Sequence, residues 1–238
     1  MILRLIISIC LMLSFAVANL NQQTTTVTNV SKNNATIGIG NLTIGQTGVI
    51  LHNFDESKSI IIADFEVVST TISSSSIIFK KPIYENEVAI PTPNISVKNG
   101  DTAILNHMYN TSILIVPNIE SFRVVTKNFP KQNFLHSDLF ASYLKTNNQP
   151  VPKRENFSAF CKKHNIGTIF FVVDENIYIV DSQTFTILEE YKIKIDNNTN
   201  SFMSPFYTNV EDIKLGLFSF GESSFKDYNS YYSKLLGL

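Results

Sequence analysis

The sequence predicts an α+β protein, and three observations carry that prediction. Between Ala35 and Pro117, runs of β-branched residues alternate with turn residues and no helical period appears. From Ile119 onward, apolar residues recur at the i, i+3, i+4, i+7 spacing of amphipathic helices. Between 168 and 193, three strand-like runs are joined by connections of only a few residues, too short for parallel crossovers, so they form an antiparallel meander. The expected architecture is a small N-terminal β-sandwich or barrel, then an antiparallel sheet with helices packed on one face, and a C-terminal docking helix.

Residues 1–18 read as a secretory signal peptide: Arg4 supplies the positive start, Leu5 to Phe15 the apolar run, and Ala16-Val17-Ala18 a small-x-small cleavage site before Asn19. A bilayer-spanning helix needs about 20 apolar residues, and this chain turns polar at Asn19, Asn21, Gln22 and Gln23, which leaves no transmembrane span after cleavage. Cys10 follows Ile7-Ser8-Ile9 rather than a lipobox. Residues 19–34 form either a flexible leader or a first, weak strand.

Residues 35–117 make a β-rich subdomain with strands over 49–51, 59–68, 75–79, 102–105 and 113–116. Asn99-Gly100 marks a tight turn, and Pro91-Thr92-Pro93 confines its surroundings to an edge or a loop. Residues 118–238 make an α+β subdomain. There Ser137 is placed to cap a helix bearing Leu139, Phe140, Tyr143 and Leu144, and a second helix from Arg154 bears Phe157, Phe160, Cys161 and His164 before Asn165-Ile166-Gly167 ends it. Strands follow over 168–173, 177–180 and 185–193, with 113–116 beside them. A last helix over 225–236 puts Tyr228, Tyr231, Tyr232, Leu235 and Leu236 on one stripe.

The composition narrows the function classes. Of 238 residues 44% are hydrophobic and only 16% charged, against about 25% charged in ordinary soluble chains, so the chain folds around an apolar core rather than staying disordered. A net charge of -1 offers no footprint for nucleic acid. Once the signal is removed Cys161 is the only cysteine, which rules out an intramolecular disulfide. Sequons at Asn29, Asn34, Asn41, Asn94, Asn110, Asn156 and Asn197 accompany a general wealth of Asn. The bias toward Asn, Lys, Ile and Phe fits an AT-rich bacterial genome.

No candidate chemistry coheres. Cys161 and His164 lie one helical turn apart, but a closed zinc site needs four ligands, and His52, His107 and His136 are scattered. Cys161 reads instead as a buried small hydrophobe. His136-Ser137-Asp138 holds the residue types of a hydrolase triad, yet sequence neighbours cannot adopt its linear geometry. Gly38, Gly40, Gly45 and Gly48 match no phosphate or dinucleotide loop and read as strand ends. Asp174, Glu175 and Asp181 suit hairpin turns rather than calcium. Phe202, Phe206, Tyr207, Phe218, Phe220, Phe225, Tyr228, Tyr231 and Tyr232 are core residues or, where exposed, interface anchors. No catalytic, cofactor-binding or metal residue is therefore assigned.

Several segments, in order, resemble the N-terminal domain of the plasminogen-binding protein A (PgbA) family of Helicobacter and Campylobacter-type bacteria. They are Asn41-Leu42-Thr43-Ile44-Gly45-Gln46-Thr47-Gly48, Ile90-Pro91-Thr92-Pro93, Lys98-Asn99-Gly100-Asp101, Ser112-Ile113-Leu114-Ile115-Val116-Pro117-Asn118 and Phe134-Leu135-His136-Ser137-Asp138-Leu139, followed by 166–190, Ser204-Pro205-Phe206-Tyr207 and 228–235. Each is unspecific alone; their collinear order carries the resemblance. It implies an exported, surface- or periplasm-associated protein without known catalysis. The resemblance also implies, in plasminogen-binding members, a Lys/Glu-rich tail ending in lysine, the group that kringle domains grip, whereas this sequence ends in Gly237-Leu238.

The expected function on these grounds is a non-catalytic interaction or scaffold protein of the cell envelope, in the periplasm or associated with the outer membrane. Its expected partners are envelope proteins, flagellar motor components such as an accessory disk, or further copies of itself. The alternative is a surface adhesin that binds host plasminogen.

Overall fold

The computed structural model describes residues 20–55, 57–80, 95–194, 205–210 and 227–238. Six strands close into an antiparallel barrel of order β1-β2-β5-β4-β3-β6: β1 (Gln23–Ser31), β2 (Asn34–Ile37), β3 (Thr47–Asn53), β4 (Ser59–Thr70), β5 (Ser75–Lys80) and β6 (Thr102–Leu105). The choice between sandwich and barrel thus falls to the barrel. The choice between leader and weak strand falls to a strand. β1 pairs with β2 on one side and β6 on the other, with Gln23 opposite Leu105. Its alternation of threonines around Val27 makes this possible, because Val27 is fully buried while Thr24, Thr26 and Thr28 face outward. Closure removes the exposed sheet edges that an open sheet would leave.

Val27, Ala35, Ile37, Ile50, Phe65, Val67, Ile77, Ala103 and Leu105 fill the barrel. Their inward period of two in each strand is the sandwich-like pattern of the sequence realised in one closed sheet. The Asn99-Gly100 turn is present: Asp101 N–H donates to Lys98 O at 3.2 Å, with Gly100 at φ 96. Pro91-Thr92-Pro93 lies outside the described residues.

The second unit holds a five-stranded sheet of order β11-β10-β9-β7-β8, built from β7 (Thr111–Ile115), β8 (Asn133–Leu135), β9 (Thr168–Val173), β10 (Asn176–Asp181) and β11 (Ile187–Lys192). Around it lie α1 (Ile119–Asn128), α2 (Ser137–Thr146), α3 (Arg154–Lys163) and α4 (Tyr228–Leu236). β9, β10 and β11 form the expected antiparallel meander. The sheet as a whole is mixed, because β7 runs parallel to both β8 and β9. β8 is only three residues long, too short to show a period in sequence. Its helical crossover from β7 permits a parallel pairing that a tight hairpin does not.

Helices cover both faces of this sheet, not one. Ile113, Ile115, Ile169, Phe171, Val173 and Val180 pack under α2, α3 and α4, whereas Leu114, Val116, Phe170, Val172, Ile177 and Ile179 pack with Val125 and Phe122 of α1. All six residues of β9 are buried for this reason, since strands covered on both sides read as continuous apolar runs.

Local capping differs from expectation in two places. Ser137 does not cap α2; His136 does, its Nδ1 accepting from Asp138 N–H at 3.2 Å, while Ser137 Oγ donates to Tyr207 O at 2.6 Å. α4 begins after Asp227, whose carboxylate accepts from Ser230 N–H at 2.7 Å. Residues 225–226, expected to open that helix, lie outside the described residues. α1 and α3 begin where the periodicity places them.

Candidate functional site

The densest constellation of buried polar groups sits where barrel meets sheet. The connection from β6 to β7 is residues 106–110, and both Asn106 (φ 58) and Met108 (φ 64) hold left-handed backbone there. It is strapped on both sides. Asn106 N–H donates to Thr47 O at 3.0 Å and Gln46 Nε2 donates to Asn106 Oδ1 at 2.9 Å, while Gly167 N–H donates to Met108 O at 3.2 Å.

Asp181, the last residue of β10, is fully buried at this junction. One carboxylate oxygen accepts from Gln183 N–H (2.8 Å) and Thr184 N–H (2.9 Å), which shapes the turn into β11. The other accepts from Thr47 Oγ1 of the barrel at 2.6 Å and from the Tyr109 hydroxyl. Tyr109 in turn accepts Thr47 N–H at 3.0 Å. A second link runs from Thr184 Oγ1 to Gly45 O at 2.7 Å. Gly45 is at φ 92, and a Cβ there would stand 2.1 Å from Thr186 Oγ1, so the close approach of the two units requires glycine.

Burial pushes the Asp181 carboxyl above the ordinary carboxylate value despite these four donors. Burial likewise, reinforced by the Asp181 charge, pushes Tyr109 well up. Each acceptor site on Asp181 is occupied by a donor from its own chain, so the carboxylate joins the two units rather than meeting a substrate. Sequence reading placed Asp181 in an ordinary hairpin turn. Half of that is right, since the turn bonds are present; the burial arises from Thr47 and Tyr109, far away in sequence.

The other candidate residues separate in the same way. Cys161 is fully buried among the rings around Phe157 and Phe160, and burial, followed by the Asp181 charge, pushes its thiol far up. His164 at the end of α3 is exposed, its ring 4.4 Å from that of Phe160. Thiol and imidazole thus occupy opposite environments. His136, Ser137 and Asp138 all hold down residues 205–210: the imidazole packs against Tyr207, Ser137 bonds Tyr207 O, and Asp138 accepts from Thr208 Oγ1 at 2.6 Å and Asn209 N–H at 2.7 Å. Asp174 and Glu175 form the β9–β10 turn, and Glu175 O accepts Ile193 N–H at 2.8 Å. Gly38, Gly40 and Gly45 fall between β2 and β3, and Gly48 is the second residue of β3.

The C-terminal aromatics are core. Tyr228, Tyr232 and Phe206 are buried, and the hydroxyls of Tyr228, Tyr231 and Tyr232 donate to the carbonyls of Ile115, Pro152 and Pro205. Phe202, Phe218, Phe220 and Phe225 lie outside the described residues. Exposed apolar side chains occur instead on both units, among them Ile44, Phe54 (59%) and Ile72 (87%) of the barrel, and Leu139 of α2, which faces solvent rather than sharing the buried face of Phe140 and Leu144. Phe54 carried no distinguishing signal in the sequence. Among the described residues no three His, Cys, Asp or Glu side chains are grouped to hold a metal, and no helix is long and apolar enough to cross a membrane.

A family model described as plasminogen-binding protein pgbA N-terminal matches residues 22–236. No curated protein and no solved structure matches the chain.

Proposed function

The chain belongs to the plasminogen-binding protein pgbA N-terminal family, and from that membership we propose that it is a non-catalytic binding module whose partner is plasminogen. The observation that carries this reading is the span of the match, 22–236, which runs from the first barrel strand to the C-terminal helix. The expectation of a scaffold or flagellar motor component draws no support from that match, which favours the adhesin alternative. The junction chemistry is consistent with the binding reading: Asp181, Tyr109 and Thr47 act on one another, leaving contact to exposed residues of a body whose units are bonded together.

Because plasminogen is extracellular, the proposal includes export through a signal cleaved before Asn19 and residence at the outer face of the envelope. The test is to immobilise the purified exported chain and titrate plasminogen over it with and without a soluble lysine analogue. Saturable binding is expected. A folded chain that captures no plasminogen at micromolar concentration sinks the reading.

A further inference from the structure

The turn over residues 98–101 leads into β6 and carries the one Asn-Gly pair of the sequence, Asn99-Gly100. Both residues are exposed. Asn followed by Gly is the dipeptide most prone to deamidate, because a residue without Cβ leaves its backbone nitrogen unhindered and free to approach the neighbouring carboxamide. The course of that reaction is fixed. The Gly100 nitrogen attacks Asn99 Cγ, the new N–Cγ bond closes a succinimide ring as the Cγ–Nδ2 bond breaks, and the displaced proton and amide nitrogen leave together as ammonia. Water then opens the ring at either carbonyl, which leaves aspartate or isoaspartate at position 99.

In the folded chain both reacting groups are committed to β1. Gly100 N–H donates to Val27 O at 2.9 Å, and Asn99 Oδ1 accepts from Val30 N–H at 2.9 Å. Asp101 ties the rest of the turn to the same strand: Val27 N–H donates to its carbonyl at 2.8 Å, Lys98 N–H donates to its carboxylate at 2.7 Å, and its own N–H donates to Lys98 O at 3.2 Å. Ring closure has to swing the Asn99 carboxamide onto the Gly100 nitrogen. That movement takes the first off Val30 N–H and the second off Val27 O. The strand cannot follow them, since Val27 is fully buried in the barrel core.

We infer that Asn99 is a conformation-gated modification site, held unreacted while β1 closes the barrel and converted through the succinimide when the seam between β1 and the 98–101 turn opens. Local openings have free energies between zero and the global stability, and a reaction confined to the open state proceeds at the open fraction of its unfolded rate. Closing the barrel again does not restore the amide. Isoaspartate adds a methylene to the main chain, so Gly100 N–H loses its register with Val27 O, and either product puts a new carboxylate in the same turn as that of Asp101, which is buried.

The test follows the purified exported chain at mildly alkaline pH, folded in buffer and unfolded in urea, by peptic mapping with fragmentation that locates the mass gain at Asn99. Conversion is expected to be at least ~10-fold slower in the folded chain, an open fraction below about a tenth. Val27→Ala, which thins the buried contact of β1, is expected to raise the folded-state rate while circular dichroism stays native. The converted fraction, separated by anion exchange, should melt below the unconverted one, and equal melting would refute the effect on the seam. A folded-state rate within ~2-fold of the unfolded rate overturns the gate, as does a folded Val27→Ala chain that converts no faster. If Val27→Ala fails to fold, hydrogen exchange at the Gly100 amide of the unaltered chain decides instead: protection of that amide together with slow conversion supports the gate, and prompt exchange with slow conversion refutes it.

Discussion

Replacing Asp181 with alanine tests the junction between the barrel and the mixed sheet. The substitution removes the acceptor for four donors. Two of them, Gln183 N–H and Thr184 N–H, lie in a turn that is partly open to water, whereas the Thr47 and Tyr109 hydroxyls are buried. Hydrogen bonds to a charged group contribute about 1.5–3 kcal/mol each, so losing the two buried ones costs about 3–6 kcal/mol gross. Removing the ion also relieves its desolvation, on the order of a few kcal/mol. The net expectation is a loss of about 2–3 kcal/mol. Asp181→Asn retains an oxygen for the turn donors but sets an amide N–H₂ against two hydroxyl donors, and should cost less than alanine.

The chain contains no Trp, so urea unfolding is best followed by tyrosine fluorescence and far-UV circular dichroism. A loss below about 0.5 kcal/mol in Asp181→Ala would refute the assignment of a stabilising junction. The pH dependence supplies an independent check. Burial raises the folded-state pKa of Asp181 above its unfolded value, so its favourable contribution is complete below the unfolded carboxylate pKa and is lost as pH rises through the folded one. The stability of the native chain relative to Asp181→Asn should therefore increase as pH is lowered from neutrality toward 3.8, the ordinary aspartate value. A difference that does not change over that range contradicts the raised pKa.

Three further outcomes are expected. Cys161, buried with its thiol pKa pushed up, should resist a thiol reagent in the native state and react on unfolding; Cys161→Ala should cost about 1–2 kcal/mol, and rapid native labelling would contradict its burial. Gly45→Ala should destabilise by more than Gly100→Ala, since both have positive φ but only Gly45 would drive a Cβ into Thr186; on thermal melts the first should cost about 2 kcal/mol or more and the second about 1 kcal/mol, and equal losses would argue against the close approach. N-terminal sequencing of the protein recovered from the envelope should begin at Asn19, and intact Met1 would overturn the signal assignment.

Strands and helices were legible wherever a local period was long enough to register. Phe157, Phe160 and Cys161 announce α3 because a helix must turn one apolar stripe inward, and the short turn at 174–175 announces an antiparallel pair. β8 was not legible because three residues hold no period. The two-sided burial of β9 was visible as the run Ile169-Phe170-Phe171-Val172-Val173, but which helix lies on which face depends on the order in which the chain winds around the sheet. The exposure of individual apolar side chains was less legible still. Phe54 is one Phe among 18, and only its 59% exposure and its contact with His52 distinguish it.

By itself the sequence determined the α+β class, the start points of α1 and α3, the meander, the burial of Cys161 and the family, because each follows from local periodicity or from collinear motifs. Tertiary structure alone decided that β1 completes a barrel, that α1 takes the opposite sheet face, and that Asp181 is a buried link rather than a surface turn residue. The physical reason is range. Periodicity reports which face of an element turns inward, whereas the bond from Thr47 to Asp181 spans 134 positions and exists only once two separately patterned sheets have been brought together.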